Sequence, residues 1–199
     1  LNTKFKGRGI ARTVIYMPAM VSGLVMGYIM YFFFQTKGGV MNDILSSMGL
    51  ATVDWLGNGN TAIAVIIFIN TWQFVGVSMV IYLAGIQGVS QSYIEAATVD
   101  GANAWQRFRF ITLPLLQPAL ASSIIYNLIG GLKLYDVIIA LTDGGPAKKT
   151  HSLATYIANR YFDAERAGYA AAIGVFSFVM IMVISMIVNG YFRKKEVDY

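Results

Sequence analysis

Residues able to do chemistry are few in this 199-residue chain and fall in two places. One is the stretch 85–117, with Ser92, Glu95, Asp100, Gly101, Asn103, Trp105, Arg107 and Arg109. The other is the run from Asn127 to Asp136, where Lys133 and Asp136 interrupt an apolar segment. Neither is a nucleophile–base constellation. With no cysteine and a single histidine, His151, the chain offers no disulfide, no thiolate nucleophile and no His-rich metal site. Gly38-Gly39 and Gly144-Gly145 lack the Lys-Ser/Thr that completes a phosphate-cradling glycine loop. A self-contained ATPase is therefore not expected.

Composition says what must position these groups. Charged residues make up 13% of the chain, where soluble domains carry about 25%. Mean hydropathy is +0.58. Such values exclude disorder, an ordinary soluble enzyme and a basic nucleic-acid-binding arm. They predict a polytopic, all-α membrane protein.

Uncharged stretches run over 13–36, 55–94, 110–132 and 167–192. They predict four spanning helices, near 13–34, 61–84, 118–141 and 169–191, each long enough for about 30 Å of hydrocarbon. The third is the least regular, because Lys133 and Asp136 lie inside it. These segments are apolar nearly all round, unlike the one-faced helices of a soluble bundle. Of the 15 basic residues, nine (Lys4, Lys6, Arg8, Arg12, Arg107, Arg109, Arg193, Lys194, Lys195) fall on one side of this arrangement. Five (Lys37, Lys148, Lys149, Arg160, Arg166) fall on the other. The richer side, with both visible termini and the 85–117 loop, is expected to be cytoplasmic.

Within that loop, Ser92 and Glu95 have the spacing of a capping box. A short helix then runs to Val99 and stops at Gly101, a residue suited to the left-handed position after a helix. Asn103 can cap a second short helix over Ala104–Phe110. Pro114 and Pro118 set an elbow into the third span. A two-helix knob of this kind is a docking shape.

Glu95-Ala96-Ala97, Gly101, Ile111 and Leu113-Pro114 stand at the spacing of a known signature. They resemble the EAA loop of ABC-importer permeases. The whole chain is similar to the maltose/multiple-sugar class of binding-protein-dependent permeases. Trp105-Gln106-Arg107-Phe108, Gly7-Arg8-Gly9 with Pro18, and Thr142-Asp143-Gly144-Gly145-Pro146 add to the likeness. The last resembles the external GGP turn of the first of two sugar permeases.

The resemblance implies a type I importer permease fold in a bacterial or archaeal cytoplasmic membrane. Residues 1–199 would form a single transmembrane permease domain. Its core has six helices; four are visible, and the other two are expected before Leu1. It implies a transport subunit, not an enzyme, for carbohydrate import. The implied partners are a second permease in a heterodimer, two ATPase subunits holding ATP and Mg, and an extracytoplasmic solute-binding protein. Glu95, Ala96, Ala97, Asp100, Gly101, Ile111, Leu113 and Pro114 would couple to the ATPase. Asp143, Gly144, Gly145 and Pro146 would dock the binding protein.

Alignment on the Leu-Pro and Gly-Gly-Pro marks places the family's sugar contacts near Asn127, Gly130, Gly131, Lys133 and Leu134, and near Gln73, Phe74 and Val77. Trp72, Tyr135 and Asp136 complete the pathway set, since sugars take dense hydrogen bonding and an apolar ring platform. The family's Asn-rich pattern is not kept here. The same residues also read as helix–helix glue, and Lys133/Asp136 as a structural ion pair three apart on one helix face. Two other functions fit the composition. One is an ABC permease for glycerol phosphate, a polyamine or an amino acid. The other is an ion-coupled secondary transporter using the Lys133/Asp136 pair, against which the EAA-like loop argues. His151 reads as solvated or at the binding-protein interface.

Overall fold

The computed structural model describes residues 6–193; Lys4, Lys194 and Lys195 of the charge count lie outside them. Every regular element among the described residues is a helix. Two helices are long and apolar enough to cross a membrane by themselves: α4 (Gly59–Gly88) and the last helix, Ala167–Arg193. They extend the predicted spans 61–84 and 169–191 by a few residues at each end.

The first predicted span, 13–34, is not one helix. α1 (Arg8–Tyr16) runs into a 3-10 turn at Met17–Met20 and stops. α2 (Gly23–Phe34) leaves at 96° to it. Pro18 contributes no N–H to a helical ladder, and Val21 is extended at φ −80°, ψ 135°. The break has a consequence inside a membrane, where a freed carbonyl must find a partner within the protein. Val21 O finds it in α4: Gln73 Nε2 donates to it at 3.0 Å.

The third predicted span, 118–141, is also corrected. α3 (Val40–Ser47), α5 (Gln91–Val99), α6 (Ala104–Arg107) and α7 (Leu113–Leu115) precede α8 (Gln117–Leu132), which ends nine residues earlier than predicted. Gly130-Gly131 weakens its last turn. Lys133 N–H and Leu134 N–H close on Ile129 O and Gly131 O at 3.0 and 3.3 Å, and the chain leaves the helix at Leu134-Tyr135. α9 (Asp136–Thr142) then starts afresh. The helical segment Ala104–Leu115 meets α8 at 64°, so the apolar stretch here is a bent pair.

Glycines let these pieces approach. Gly23 and Gly27 stand four apart on α2, the small-residue spacing that brings membrane helices close. A Cβ on Gly23 would lie 2.9 Å from Asp136 Cβ, and one on Gly27 would lie 2.5 Å from Ala140 Cβ. α2 and α9 thus pack at close range, and with α4 they enclose the core of Met26, Phe34, Val65, Ile66, Ile69, Val137, Ile138 and Leu141. Gly76 on α4 receives the backbone of α1 at Ile15 and Tyr16.

Between α2 and α4 the expected loop 35–60 contains α3 and is tied by one buried amide. Asn42 Nδ2 donates to Thr36 O (3.0 Å) and Val53 O (2.9 Å), and its Oδ1 accepts from Val53 N (3.0 Å) and Trp55 Nε1 (3.1 Å). α10 (Leu153–Ala158) and α11 (Ala167–Arg193) close the chain. α11 exposes Phe176, Phe178, Val175 and Ile187.

Two glycine substitutions separate crowding from propensity. Gly76→Ala drives a methyl to 2.5 Å from Ile15 O and Tyr16 Cα; overpacking of this kind costs roughly 1–3 kcal/mol. Gly174→Ala meets nothing within 4 Å, and in a helix the change gains about 0.5–1 kcal/mol. Thermal unfolding of the purified protein in detergent is expected to show a lowered Tm for the first and an unchanged or raised Tm for the second.

Candidate functional site

Three regions carry the functional residues. The first is the projection formed by α5 and α6. α5 is capped by Ser90, two residues earlier than the predicted Ser92: the Ser90 hydroxyl contacts the Ser92 N–H at 3.4 Å and the Ser92 hydroxyl at 2.8 Å. Glu95 is therefore beyond capping distance of the start of the helix. It is exposed, and forms no hydrogen bond or ion pair among the described residues. The predicted stop is realised. Gly101 has φ +79°, its N–H bonds Thr98 O at 3.1 Å, and Ala102 N–H bonds Ala97 O at 2.9 Å. These two bonds are a Schellman closure.

α6 begins with the reciprocal bonds of a capping box, Gln106 N–H to Asn103 Oδ1 (2.9 Å) and Asn103 N–H to Gln106 Oε1 (2.8 Å). Arg107 donates to Ala102 O at 2.8 Å, so it holds the turn between the two helices. The chain does not stop at Pro114. A π-helical turn, Phe108–Thr112, widens the helix just ahead of it, and the bend falls at Leu116. Ile111, Leu113 and Pro114 sit half-buried at the base. Val99 (89% exposed), Trp105 (69%) and Phe110 (71%) are exposed along this region, apolar surface that asks for a partner.

The second region is a cavity of about 430 Å³ between the two helix breaks. Val21 and Gly23 line it from the first break, and Lys133, Leu134, Tyr135 and Asp136 from the second. α4 supplies Asn70, Gln73 and Phe74; α8 supplies Tyr126, Asn127, Ile129 and Gly130. Gln73 is fully buried. Its Nε2 is spent on Val21 O, while its Oε1 has no partner among the described residues. Asn127 Nδ2 donates to Ser78 Oγ (2.9 Å) and Ser123 O (2.7 Å), tying α8 to α4. Lys133 and Asp136 do not share a helix face, because the helix ends between them; they form no ion pair.

The third region is the turn after α9. Asp143 and Gly144 both take positive φ, 49° and 79°, and Gly145-Pro146 is a cis peptide. Thr150 is buried and ties the turn together: its hydroxyl donates to Gly145 O (2.6 Å) and meets the Thr142 hydroxyl (2.8 Å). His151, expected to be solvated or at the binding-protein interface, is half-buried. Its ring occupies the space where a Gly144 side chain would go, and its Nδ1 meets Thr155 Oγ1 at 3.1 Å. Ser152 caps α10 and also donates to Leu134 O at 2.5 Å. Arg160 donates to the Tyr156 hydroxyl at 2.7 Å and lies 4.7 Å over its ring, a pairing that lowers the phenol's pKa from its ordinary value. Asp143, Lys148 and Lys149 are exposed, Gly145 and Pro146 half-buried, and Gly144 is covered.

Residues 1–197 match the model of the family described as "Binding-protein-dependent transport system inner membrane component". The chain belongs to this family. Among relatives of this inner-membrane component, it is 33% identical over 187 residues to the trehalose/maltose transport system permease protein MalF of Thermococcus litoralis, covering 94% of the chain and 63% of the relative. It is 34% identical to the multiple sugar-binding transport system permease protein MsmF of Streptococcus mutans, covering 99% and 68%. The chain thus spans about two thirds of the length of these relatives. Its fold is similar, at TM-score 0.85 and 30% identity, to a chain in the crystal structure of a bacterial ABC transporter involved in the import of the acidic polysaccharide alginate. That match covers 96% of this chain and 68% of the other.

Of the expected pathway residues, eight line this cavity: Gln73, Phe74, Asn127, Gly130, Lys133 and Leu134 from the family's pattern, and Tyr135 and Asp136 from their chemistry. Trp72 and Val77 do not; Trp72 is 42% exposed on another face of α4. Gly131 lines a neighbouring hollow. Val21, Gly23, Tyr126 and Ile129 were not foreseen. The Gly23-x3-Gly27 spacing was the available signal for the first pair, since it marks where another helix must come close.

Gly144→Ala has no room and the wrong φ, whereas Gly145→Ala meets only Thr142 O at 3.1 Å with an ordinary φ. The left-handed position alone costs about 1–2 kcal/mol for an L side chain. Gly144→Ala is expected to lower the unfolding temperature more than Gly145→Ala, and to raise the proteolytic sensitivity of the 142–152 segment.

Proposed function

We propose that the protein is a transmembrane subunit of an ATP-driven importer for carbohydrate. It works with a second permease, two ATPase subunits and an extracytoplasmic solute-binding protein. ATP and Mg belong to the ATPase subunits, in keeping with the lack of a phosphate loop in this sequence. The observation that carries this reading is the α5 projection. Glu95-Ala96-Ala97 forms an exposed helix ended by Gly101, in a chain of the binding-protein-dependent permease family. Support for carbohydrate comes from relatives whose names specify trehalose/maltose and multiple-sugar transport, and from the alginate importer to which the fold is similar.

The parts then have roles. Glu95 offers a free carboxylate for charge-assisted bonds from a partner cleft. Ala96 and Ala97 keep that face of the helix low, and Asp100 extends its acidic edge. Because Ala104–Leu115 continues from α6 to the elbow at Leu116, movement of the projection is delivered to α8, which lines the cavity. In the cavity, Asn70 offers an amide to sugar hydroxyls. Phe74, Tyr126 and Tyr135 supply ring surface, and Lys133 and Asp136 a donor and an acceptor. The excess of Lys and Arg on the α5 side supports a cytoplasmic location for that side, with both visible termini. The Asp143–Lys149 turn then faces the binding protein.

Uptake into membrane vesicles bearing the whole transporter tests this. Uptake is expected to need ATP and the binding protein; uptake that follows a proton gradient without ATP overturns the reading. For the coupling role, Glu95→Ala combined with Gly101→Trp is expected to leave ATP hydrolysis measurable while sugar uptake falls by about tenfold. Uptake at the unmodified rate in that variant removes the assignment.

A further inference from the structure

A second hollow, of about 320 Å³, adjoins the central cavity on the side of the Gly144 turn. Thr150, His151 and Ser152 line it. Asn70 and Leu134 line both spaces, so they form the partition between them. Leu134 lies in the non-helical break between α8 and α9, where no full helical ladder holds it. Its N–H reaches Gly131 O only at 3.3 Å. Its carbonyl is held by the Ser152 hydroxyl at 2.5 Å, across 18 residues of sequence.

Ser152 is joined in turn to the outer turn. Its N–H donates to Thr155 Oγ1 at 2.8 Å, Thr155 Oγ1 meets His151 Nδ1 at 3.1 Å, and the His151 ring rests on Gly144. Thr155 is fully buried, so this chain of contacts runs inside the protein. It leads without a gap from Gly144 to Leu134. Coupling between two sites is carried by such contiguous contacts when both ends have a ligand to answer to.

We infer that Ser152 is a positioning residue that sets the Leu134 partition between the outer hollow and the central cavity and ties it to the Gly144 turn. Occupancy of the turn by the binding protein then bears on passage of the sugar past Leu134. The inference rests on the transport reading above and deepens it: it assigns the link between the docking turn and the sugar path.

The chemistry of position 152 supplies a clean test. As helix cap, Ser152 Oγ accepts from Thr155 N–H at 3.1 Å; toward Leu134 it donates. A hydroxyl does both, and an ionised carboxylate can only accept. Ser152→Asp therefore keeps the cap and loses the strut, while Ser152→Thr keeps both. The variants are made in the whole transporter, reconstituted in proteoliposomes with its partner subunits. The readout is sugar transported per ATP hydrolysed at saturating sugar-loaded binding protein, with assembly checked by size-exclusion chromatography.

Ser152→Asp is expected to assemble and to transport about tenfold less sugar per ATP. Ser152→Thr is expected to restore the wild-type ratio. If Ser152→Asp fails to assemble, Ser152→Cys, a weak donor of similar size, is read in its place with a smaller fall. A wild-type ratio in Ser152→Asp, or a loss in amount of assembled transporter with the ratio unchanged, overturns the inference. A wild-type transporter that takes up no sugar when ATP and the binding protein are supplied overturns the proposed function, a result distinct from either.

Discussion

A backbone carbonyl released by a broken helix cannot turn to water in the middle of a bilayer, and each one left unpaired costs several kcal/mol. The helices of this chain are interrupted at Val21 and at Leu134, and at each place a backbone carbonyl is met by a side chain, Val21 O by Gln73 and Leu134 O by Ser152. The cavity lies between those two breaks. Continuous helices at both places would leave neither the bends that open the space nor the extended segments that line it. The polar residues of the region follow from this constraint. Gln73 sits in an apolar helix because a carbonyl needs it, and its second polar atom is then buried without a partner among the described residues.

Legibility in the sequence follows from how local each feature is. The stop of α5 could be read because a left-handed residue after a helix leaves a glycine in the text, and Gly101 is there. The Asn103 cap was equally local. The cap of α5 was misplaced because Ser90 and Ser92 have the same chemistry, and the choice between them depends on where α4 ends. The first break was not legible from charge. A search for uncharged stretches sees composition, and a broken span has the same composition as an intact one. Pro18 marks the first break only in retrospect, since the extended residue is Val21. The second needed Gly130-Gly131, Lys133 and Asp136 to be read together as an ending and not as polar decoration of a continuous helix. Which residues face one another across the cavity depends on the crossing of α4 with both breaks, and this is tertiary information.

The outer turn shows a different kind of dependence. Gly144 looks, as sequence, like part of an exposed recognition motif, but it is covered by an imidazole, while the neighbouring Asp143 and Lys148 face outward. The motif therefore combines a buried seat with an exposed rim. At the far end, the α5–α6 projection and the π-helical turn after it expose Val99, Trp105 and Phe110 as well as Glu95, apolar surface together with a charge, as at an interface.

The glycine contacts between α2 and α9 bear on which parts of the cavity wall are free to move. With Gly23 set on Asp136 and Gly27 on Ala140, no side-chain layer remains between the two helices to act as a cushion or a bearing. Packed interiors switch between discrete arrangements and do not deform smoothly. α2 and α9 accordingly form one stiff plate, though about 100 residues of sequence separate them and each adjoins one break. Any change in the volume of the cavity then falls to α4 and α8, the walls that face the plate.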